Sequence, residues 1–304
     1  IFTDAGRTCR PLLIVKDNTI GLSKEHVMQI ANGTKSWDEL YKEGVVEMID
    51  VGEQETLLVC VDSKKLGKDK NNYTHCEISP TLLIGVCSSV IPYANHNPAA
   101  RIVYQSSMSK QALSVMGTNH YQRMDTMTHQ LHYPQKSICP TRTMELMHSN
   151  DLPAGENAVI FVCSMAYDQE DAIILNKNSV DRGMFRSTFY RTYKDSEIKS
   201  TEREEKFAIP SNESGTEKLQ SDGTVGVGSY VSNGDVLVGK ISTEIGLDGK
   251  PVKLRCIRLR HGEDGTVDSV LVSENPNGTR SVKTRIRQNR IPEVGDKFAA
   301  PHSQ

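Results

Sequence analysis

The stretch TVDSVLVSENPNGTRSVKTRIRQNR, residues 266–290, reads as two strands folded back across Asn277-Gly278. That dipeptide is a strong hairpin signal, because the corner positions of a tight loop favour positive φ and Asn and Gly reach it at least cost. Side chains alternate along a strand, so Val282, Thr284 and Ile286 share one face of the returning strand. Lys283, Arg285 and Arg287 share the other. One face is written for a core. The other is a basic stripe facing solvent or an anion.

The same β-like, turn-rich character extends upstream to about Thr188. In SDGTVGVGSYVSNGDVLVGKIST (221–243), Asn233-Gly234 is a second hairpin-type turn before the apolar VLVGKI. STFYRTYKD (187–195) alternates as a strand, and NSVDRGMF (178–185) is a short helix or turn. ENAVIFVCSMAY (156–167) is expected to be a buried strand. QALSVMGTNHYQRMDTM (111–127) has near-helical apolar spacing, weakened at Gly117. YANHNPAARIVYQSSMSKQALSVMG (93–117) runs from loop into helix. Residues 1–87 form a small mixed unit. It has strands broken by Gly6 and Pro11, then a helix start at SWDEL with Ser36 as cap and Glu39 as its box partner. Two strands around Gly52 and the solvated loop DSKKLGKDKNNY follow. The expected class is α+β, mixed and β-rich.

The chain has 304 residues, 37% hydrophobic and 24% charged, which is ordinary globular composition for two or three cores. A formal net charge of -2 provides no global basic field, so contact with nucleic acid would need local basic surfaces. The seven cysteines contain no CxxC pair, which removes zinc-ribbon spacing. Those in LLVCV and VIFVCSM are expected to be buried free thiols in a reducing compartment. No membrane span is expected: the long uncharged run 78–100 is broken by Pro80, Pro92 and Pro98.

Three constellations carry chemistry. In AYDQEDAIILN (166–176), Glu170 and Asp171 stand side by side before an apolar run. On a regular strand they would point to opposite faces, so they can meet one ligand only at a turn or bulge. Hard oxygen donors suit Mg²⁺, which keeps waters and shares substrate phosphates; a pair of surface acids at a strand start is the plainer reading. The second is HNPAARIVYQSSMSKQ (96–111), which mixes Arg101, Tyr104, Gln105, Lys110 and Gln111 with no acid between Glu77 and Asp125. Arginine offers a fork for phosphate and tyrosine a stacking surface; the alternative is a polar loop capping a helix. The third is RIPEVGDKF (290–298). Here Arg290 and Lys297 flank a Gly-Asp turn, suited to phosphate or simply to solvent. His129 and His132 lie three apart without a third ligand and read as structural. No GxSxG, Walker-type loop or nucleotide-binding glycine fingerprint is present.

Taken in order, a run of segments closely resembles the second-largest (β-like) subunit of multisubunit DNA-directed RNA polymerase. They are IFTDAGRTCRPLLIV, GVVEMID, THCEISP, LIGVCSSVIPYANHNPAARIVYQSSMSKQA, TNHYQRMDTM, YPQKS, LPAGENAVIFV, YDQEDAIILNKNSVDRGMFRSTFYRTY and RIPEVGDKFAAPHSQ. THCEISP leans toward the polymerase II lineage. The resemblance implies a partial, multi-domain chain. Residues 1–87 would be part of the external region, 88–187 and 283–304 two parts of a double-psi-barrel-like hybrid-binding region, and 188–282 the wall or flap. It implies that Glu170 and Asp171 face a second, transient Mg²⁺ shared with the largest subunit, and that zinc lies outside this segment. It places Arg101, Tyr104 and Gln105 by the nucleotide and hybrid, Lys110 and Gln111 on the RNA–DNA hybrid, and Arg290 and Lys297 by the RNA 3′ end and nucleotide. The implied partners are the largest and other polymerase subunits, template DNA, transcript and NTPs, with no membrane. The implied location is the nucleus, or a viral factory or virion for a large DNA virus. The implied activity is nucleotidyl transfer by the complex, with the piece alone inactive. The sequence departs from the family at Ser109, Pro301 and Ser303. That leaves a non-catalytic nucleic-acid-binding scaffold, or decayed paralogue, as the alternative.

Overall fold

The structure is a computed structural model and describes residues 2–68, 70–200, 204–242 and 256–302. The backbone forms two units, one of residues 1–107, 141–143 and 300–304, the other of 108–140 and 144–299. The secondary structure is mixed and sheet-rich, as the patterning predicts.

In the first unit the strand Arg7–Lys16 is the hub. It pairs antiparallel with Phe2–Asp4, Thr19–Ile20, Val46–Asp50 and His75–Cys76. Ala5 and Gly6 close the first hairpin with positive φ. Pro11 does not break the strand but sits within it, opposite Met48. The reading of two strands around Gly52 holds only in outline, since a short helix, Val51–Gln54, separates Val46–Asp50 from Val59–Cys60. Leu13, Leu40, Val46, Cys60 and Cys76 form the core. The helix Trp37–Lys42 starts as its sequence requires: the Glu39 amide donates to Ser36 Oγ and the Ser36 amide to the Glu39 carboxylate.

The second unit is built on a five-stranded antiparallel sheet in the order Tyr230–Val231, Gly265–Glu274, Arg280–Arg290, Ser187–Ser196, Met127–Leu131. The hairpin across Asn277-Gly278 is present, with Gly278 at φ 71°. Val282, Thr284 and Ile286 are buried as the alternation predicts, and with Val267 they roof a core of Phe207, Val231, Val236, Leu237 and Val238. Two small sheets complete that core, Val236–Val238 with Ile257–Arg258 and Lys240–Ser242 with Glu205–Phe207. Buried Lys240 ties its sheet to the large one through Asp195 at 2.6 Å and the Ser196 carbonyl at 2.7 Å, and meets Glu205 of its own sheet at 3.1 Å.

Four expectations are corrected. The Asn233-Gly234 turn exists, with Gly234 at φ 91°, but its flanking strands pair with other strands and not with each other. Residues 111–123 form no helix. Their carbonyls at His120, Tyr121 and Arg123 accept from the Arg285 guanidinium, at 3.4, 3.1 and 2.6 Å, so a side chain takes the place of helical amides. Residues 156–165 form no strand, and Val159, Ile160, Phe161 and Val162 stand exposed. Cys163 is accordingly exposed, while Cys60 in LLVCV is buried. The basic stripe is also split. Arg287 is exposed, but Arg285 is buried under the loop it holds and stacks 5.2 Å from the Tyr190 ring centre. Asp268, the extra residue at a bulge between the Val267 and Ser269 pairs, meets Arg285 Nε at 2.8 Å. Bulges re-aim a side chain in this way.

Among the described residues, no helix is long and apolar enough to cross a membrane.

Candidate functional site

Glu170 and Asp171 occupy the two corners of a tight turn. The Ala172 amide returns to the Gln169 carbonyl at 3.2 Å, and Glu170 has φ 56°, in the left-handed region. Few non-glycine residues adopt that region without cause. The turn is prepared upstream by Asp168, whose carboxylate accepts the Met165 amide at 2.7 Å. Downstream of it, Asn176 caps the helix Lys177–Asp181 by accepting the Ser179 amide at 3.1 Å. Both acids are exposed. The requirement drawn from the sequence, a turn rather than a strand at this pair, is therefore met. Two carboxylates on one exposed turn are hard oxygen donors able to approach one Mg²⁺. Among the described residues no group of three or more His, Cys, Asp or Glu converges as a metal site. Any ion here would draw its other ligands from water, a phosphate or another chain.

The second group lies on the helix Ala99–Ser109, entered through Pro98, whose carbonyl accepts the Arg101 amide at 3.1 Å. Arg101, Tyr104 and Gln105 stand at i, i+3 and i+4, which places them on one helix face. Arg101 and Tyr104 are exposed. Gln105 is buried, and its Oε1 has no hydrogen-bond partner among the described residues. Lys110 and Gln111 follow in the turn that ends the helix, where the Gln111 amide donates to the Met108 carbonyl at 2.9 Å. Both are exposed.

The third group is a turn that brings Arg290 and Lys297 together. Arg290 ends the central strand, its backbone paired with Ser187. The Asp296 amide donates to the Glu293 carbonyl at 3.1 Å, the Glu293 amide donates to Asp296 Oδ2 at 2.9 Å, and Gly295 takes φ 102°. Arg290 Nη2 donates to Asp296 Oδ1. This contact holds the Asp296 carboxyl below the usual carboxylate range and raises the Arg290 guanidinium further. Lys297 is exposed beside it. Phe298 packs on Phe185, with ring centres 4.9 Å apart at 57°. Phe185, itself at φ 54°, donates its amide to Glu156 Oε1 at 3.0 Å. Sequence reasoning named Arg290 and Lys297 but passed over Asp296, Phe298 and Phe185. An aspartate after glycine in a turn, accepting a nearby amide, was the available signal.

The two histidines are structural in this geometry. His132 Nε2 lies 2.6 Å from Thr188 Oγ1, and His129 stacks on Phe189 with ring centres 4.8 Å apart. Burial, with Arg290 nearby, lowers the His129 pKa.

The site residues are divided between the two units: Arg101, Tyr104 and Gln105 in the first, Lys110, Gln111, Glu170, Asp171, Arg290 and Lys297 in the second. The Pro301 departure lies in the first unit, where the Asn97 side-chain amide reaches the His302 carbonyl at 3.0 Å; Ser303 lies outside the described residues.

Comparison with known families sets the class. The family described as RNA polymerase Rpb2, domain 6, matches residues 87–304, and RNA polymerase Rpb2, domain 5, matches residues 37–80. The chain belongs to this family of second-largest RNA polymerase subunits. It is 41% identical to DNA-directed RNA polymerase II subunit RPB2 of Encephalitozoon cuniculi over 99% of its length, covering 28% of that protein. It is 40% identical to DNA-directed RNA polymerase II subunit 2 of Arabidopsis thaliana over 100% of its length, again covering 28%. An archaeal relative, DNA-directed RNA polymerase subunit Rpo2 of Sulfolobus acidocaldarius, is 40% identical over 99% of the chain and is covered to 28%. The chain thus spans less than a third of the length of the relatives it matches.

Proposed function

We propose that this chain is the active-centre segment of a DNA-directed RNA polymerase second-largest subunit, working in template-directed nucleotidyl transfer from NTPs. The observation that carries the reading is the turn at Glu170 and Asp171. It projects two carboxylates from one exposed corner at the cost of a left-handed φ. Backbone conformations of that kind persist where the surroundings over-determine them. The pair would hold the Mg²⁺ that accompanies the nucleotide, an ion that neutralises phosphate charge when bound. The chain's own residues orient and neutralise. Arg101 offers a guanidinium fork and Tyr104 a stacking face on the same helix side, beside Gln105 Oε1, which has no partner among the described residues. Lys110 and Gln111 would touch the RNA–DNA hybrid, and Arg290 and Lys297 the RNA 3′ end and nucleotide. None of these residues acts as nucleophile or general base.

In this reading residues 1–87 belong to the external region. Residues 88–187 and 283–304 form parts of a double-psi-barrel-like hybrid-binding region, and 188–282 the wall or flap. Partners are the largest subunit, the other subunits, template DNA and transcript, in the nucleus of a eukaryotic source.

The test uses the full-length subunit assembled with its partners. RNA extension by the parent and by the Glu170→Ala/Asp171→Ala double variant is followed across Mg²⁺ concentrations. A large rate loss, partly recovered by added Mg²⁺ or nucleotide, is expected. Unchanged rates would make the acids a solvated turn and favour a non-catalytic scaffold, the reading to which the Pro301 departure points.

A further inference from the structure

We infer that Arg290 and Asp296 form a positioning pair that sets the place of Lys297, and that Arg290 acts through Asp296 and not as a direct phosphate ligand. The inference rests on the reading of Lys297 given above and replaces the direct contact proposed there for Arg290. Arg290 is fixed to the sheet, since its backbone is the last rung of the ladder between Arg280–Arg290 and Ser187–Ser196, opposite fully buried Ser187. Its Nη2 donates to Asp296 Oδ1. The other carboxylate oxygen of Asp296 accepts the Glu293 amide at 2.9 Å, so a single side chain joins the sheet end to the far side of the turn. A charge-assisted contact of this kind is stronger and more directional than a neutral one.

Beyond Lys297 a second anchor operates. Phe298 is held on Phe185, whose backbone is locked in a left-handed conformation and donates to Glu156. Lys297 is therefore the exposed residue between two fixed neighbours. Its flexible stem departs from a backbone with little freedom to shift. A lysine acts as a point charge on a flexible stem, so the position of its root decides what it reaches.

The test uses the full-length subunit in the assembled polymerase, with kcat and KM for NTP measured for Lys297→Ala, Arg290→Gln, Asp296→Asn and Arg290→Gln/Asp296→Asn. Amide exchange at residues 293–298 is measured in parallel. Asn at 296 still accepts the Glu293 amide but cannot form the ion pair, so it isolates that contact. Arg290→Gln and Asp296→Asn should lower kcat/KM by similar factors, between about 10-fold and 10²-fold, the range expected for misplacing a reacting-centre group. The double variant should be no worse than either single one, because residues acting as one unit are not additive. Both singles should speed exchange at residues 293–298 while Lys297→Ala does not. Assembly and melting temperature should stay at the parent value.

A loss confined to Arg290→Gln, with Asp296→Asn neutral, would overturn the inference and make Arg290 a phosphate contact. Unchanged exchange in both single variants would overturn it as well. A neutral Lys297→Ala alongside faster exchange in the other two would instead leave the pair standing and remove the assignment of Lys297.

Discussion

Arg285→Met removes a side chain that binds the carbonyls of His120, Tyr121 and Arg123. The Arg285 guanidinium is 10% exposed and its partner Asp268 is 17% exposed. Removing one member of a buried ion pair costs about 3–5 kcal/mol, and Arg287 Nη1, 3.8 Å from Asp268, offsets only part of that. Two carbonyls, at Tyr121 and Arg123, also lose their donor, while that of His120 keeps the Arg123 amide at 3.4 Å. Each that water cannot reach adds about 1–3 kcal/mol. Methionine recovers the packing of the aliphatic stem but not the stack on Tyr190. These terms overlap, and we set the expected loss at about 4 kcal/mol, near the middle of the range for the ion pair alone. For a unit of this size that lowers the melting temperature by about 8–16 °C. The assay is thermal unfolding followed by far-ultraviolet circular dichroism, with amide exchange over residues 117–126. Lys283→Met is the control: it removes a charge from the same strand face at a half-buried position and should move stability by no more than about 0.5 kcal/mol. Arg285→Met/Asp268→Leu separates the terms. If the orphaned charge were the whole cost, the double variant would recover parent stability. If the carbonyls matter, it stays well below. A melting temperature for Arg285→Met within about 2 °C of the parent would refute the clamp.

Three further outcomes follow from the geometry. Burial opposes the charge on Glu197, but the Arg280 guanidinium and the amides of Phe207 and Arg280 outweigh it and lower its pKa. Its contribution is full above the unfolded carboxylate value of about 4.3 and is lost as pH falls through the folded one; the penalty of Glu197→Gln in thermal melts should shrink in acid and stay constant if the ion pair is idle. Burial and the bond to Glu263 push the Tyr193 hydroxyl up to about 12. Its stabilisation is full below the free tyrosine value of about 10 and falls away toward 12, so Tyr193→Phe should flatten the alkaline arm of the stability curve. Among the thiols, exposed Cys87 and Cys163 should react first with an aromatic disulfide reagent, whereas Cys76, buried and with its pKa raised to about 11, should react only on unfolding.

The strand 280–290 was legible because Val282, Thr284 and Ile286 alternate with Lys283, Arg285 and Arg287 at its centre and the turn before it is Asn-Gly. Alternation then fixes which residues enter the core. The fate of the opposite face was not legible, since nothing near Arg285 in sequence tells of Asp268 at a bulge or of carbonyls brought from residues 120–123. Periodicity misled at 111–123 for the same reason: apolar spacing competes with side-chain donors that arrive from far along the chain. At 156–165 the composition is that of a strand, but a strand needs a neighbour to take its amides, and none is formed among the described residues. The site was legible wherever local chemistry suffices. Adjacent acids demand a turn, and the turn is there. Arg101, Tyr104 and Gln105 share a helix face by spacing alone. The supports at Asp296, Phe298 and Phe185 depend on contacts across the chain, which spacing cannot reveal.

The register that joins Ser196 to Ser281 also carries a kinetic consequence. Residues 197–280 lie between those partners and supply most of the core beneath the sheet. The hairpin across Asn277-Gly278 closes a short loop and can form within microseconds, whereas pairing 187–196 with 280–290 must first close a long one. Folding the intervening segment onto the young hairpin brings Ser196 close before that rung forms. Mutations in the hairpin should therefore slow folding, and mutations confined to the rungs at 187–196 should mainly hasten unfolding.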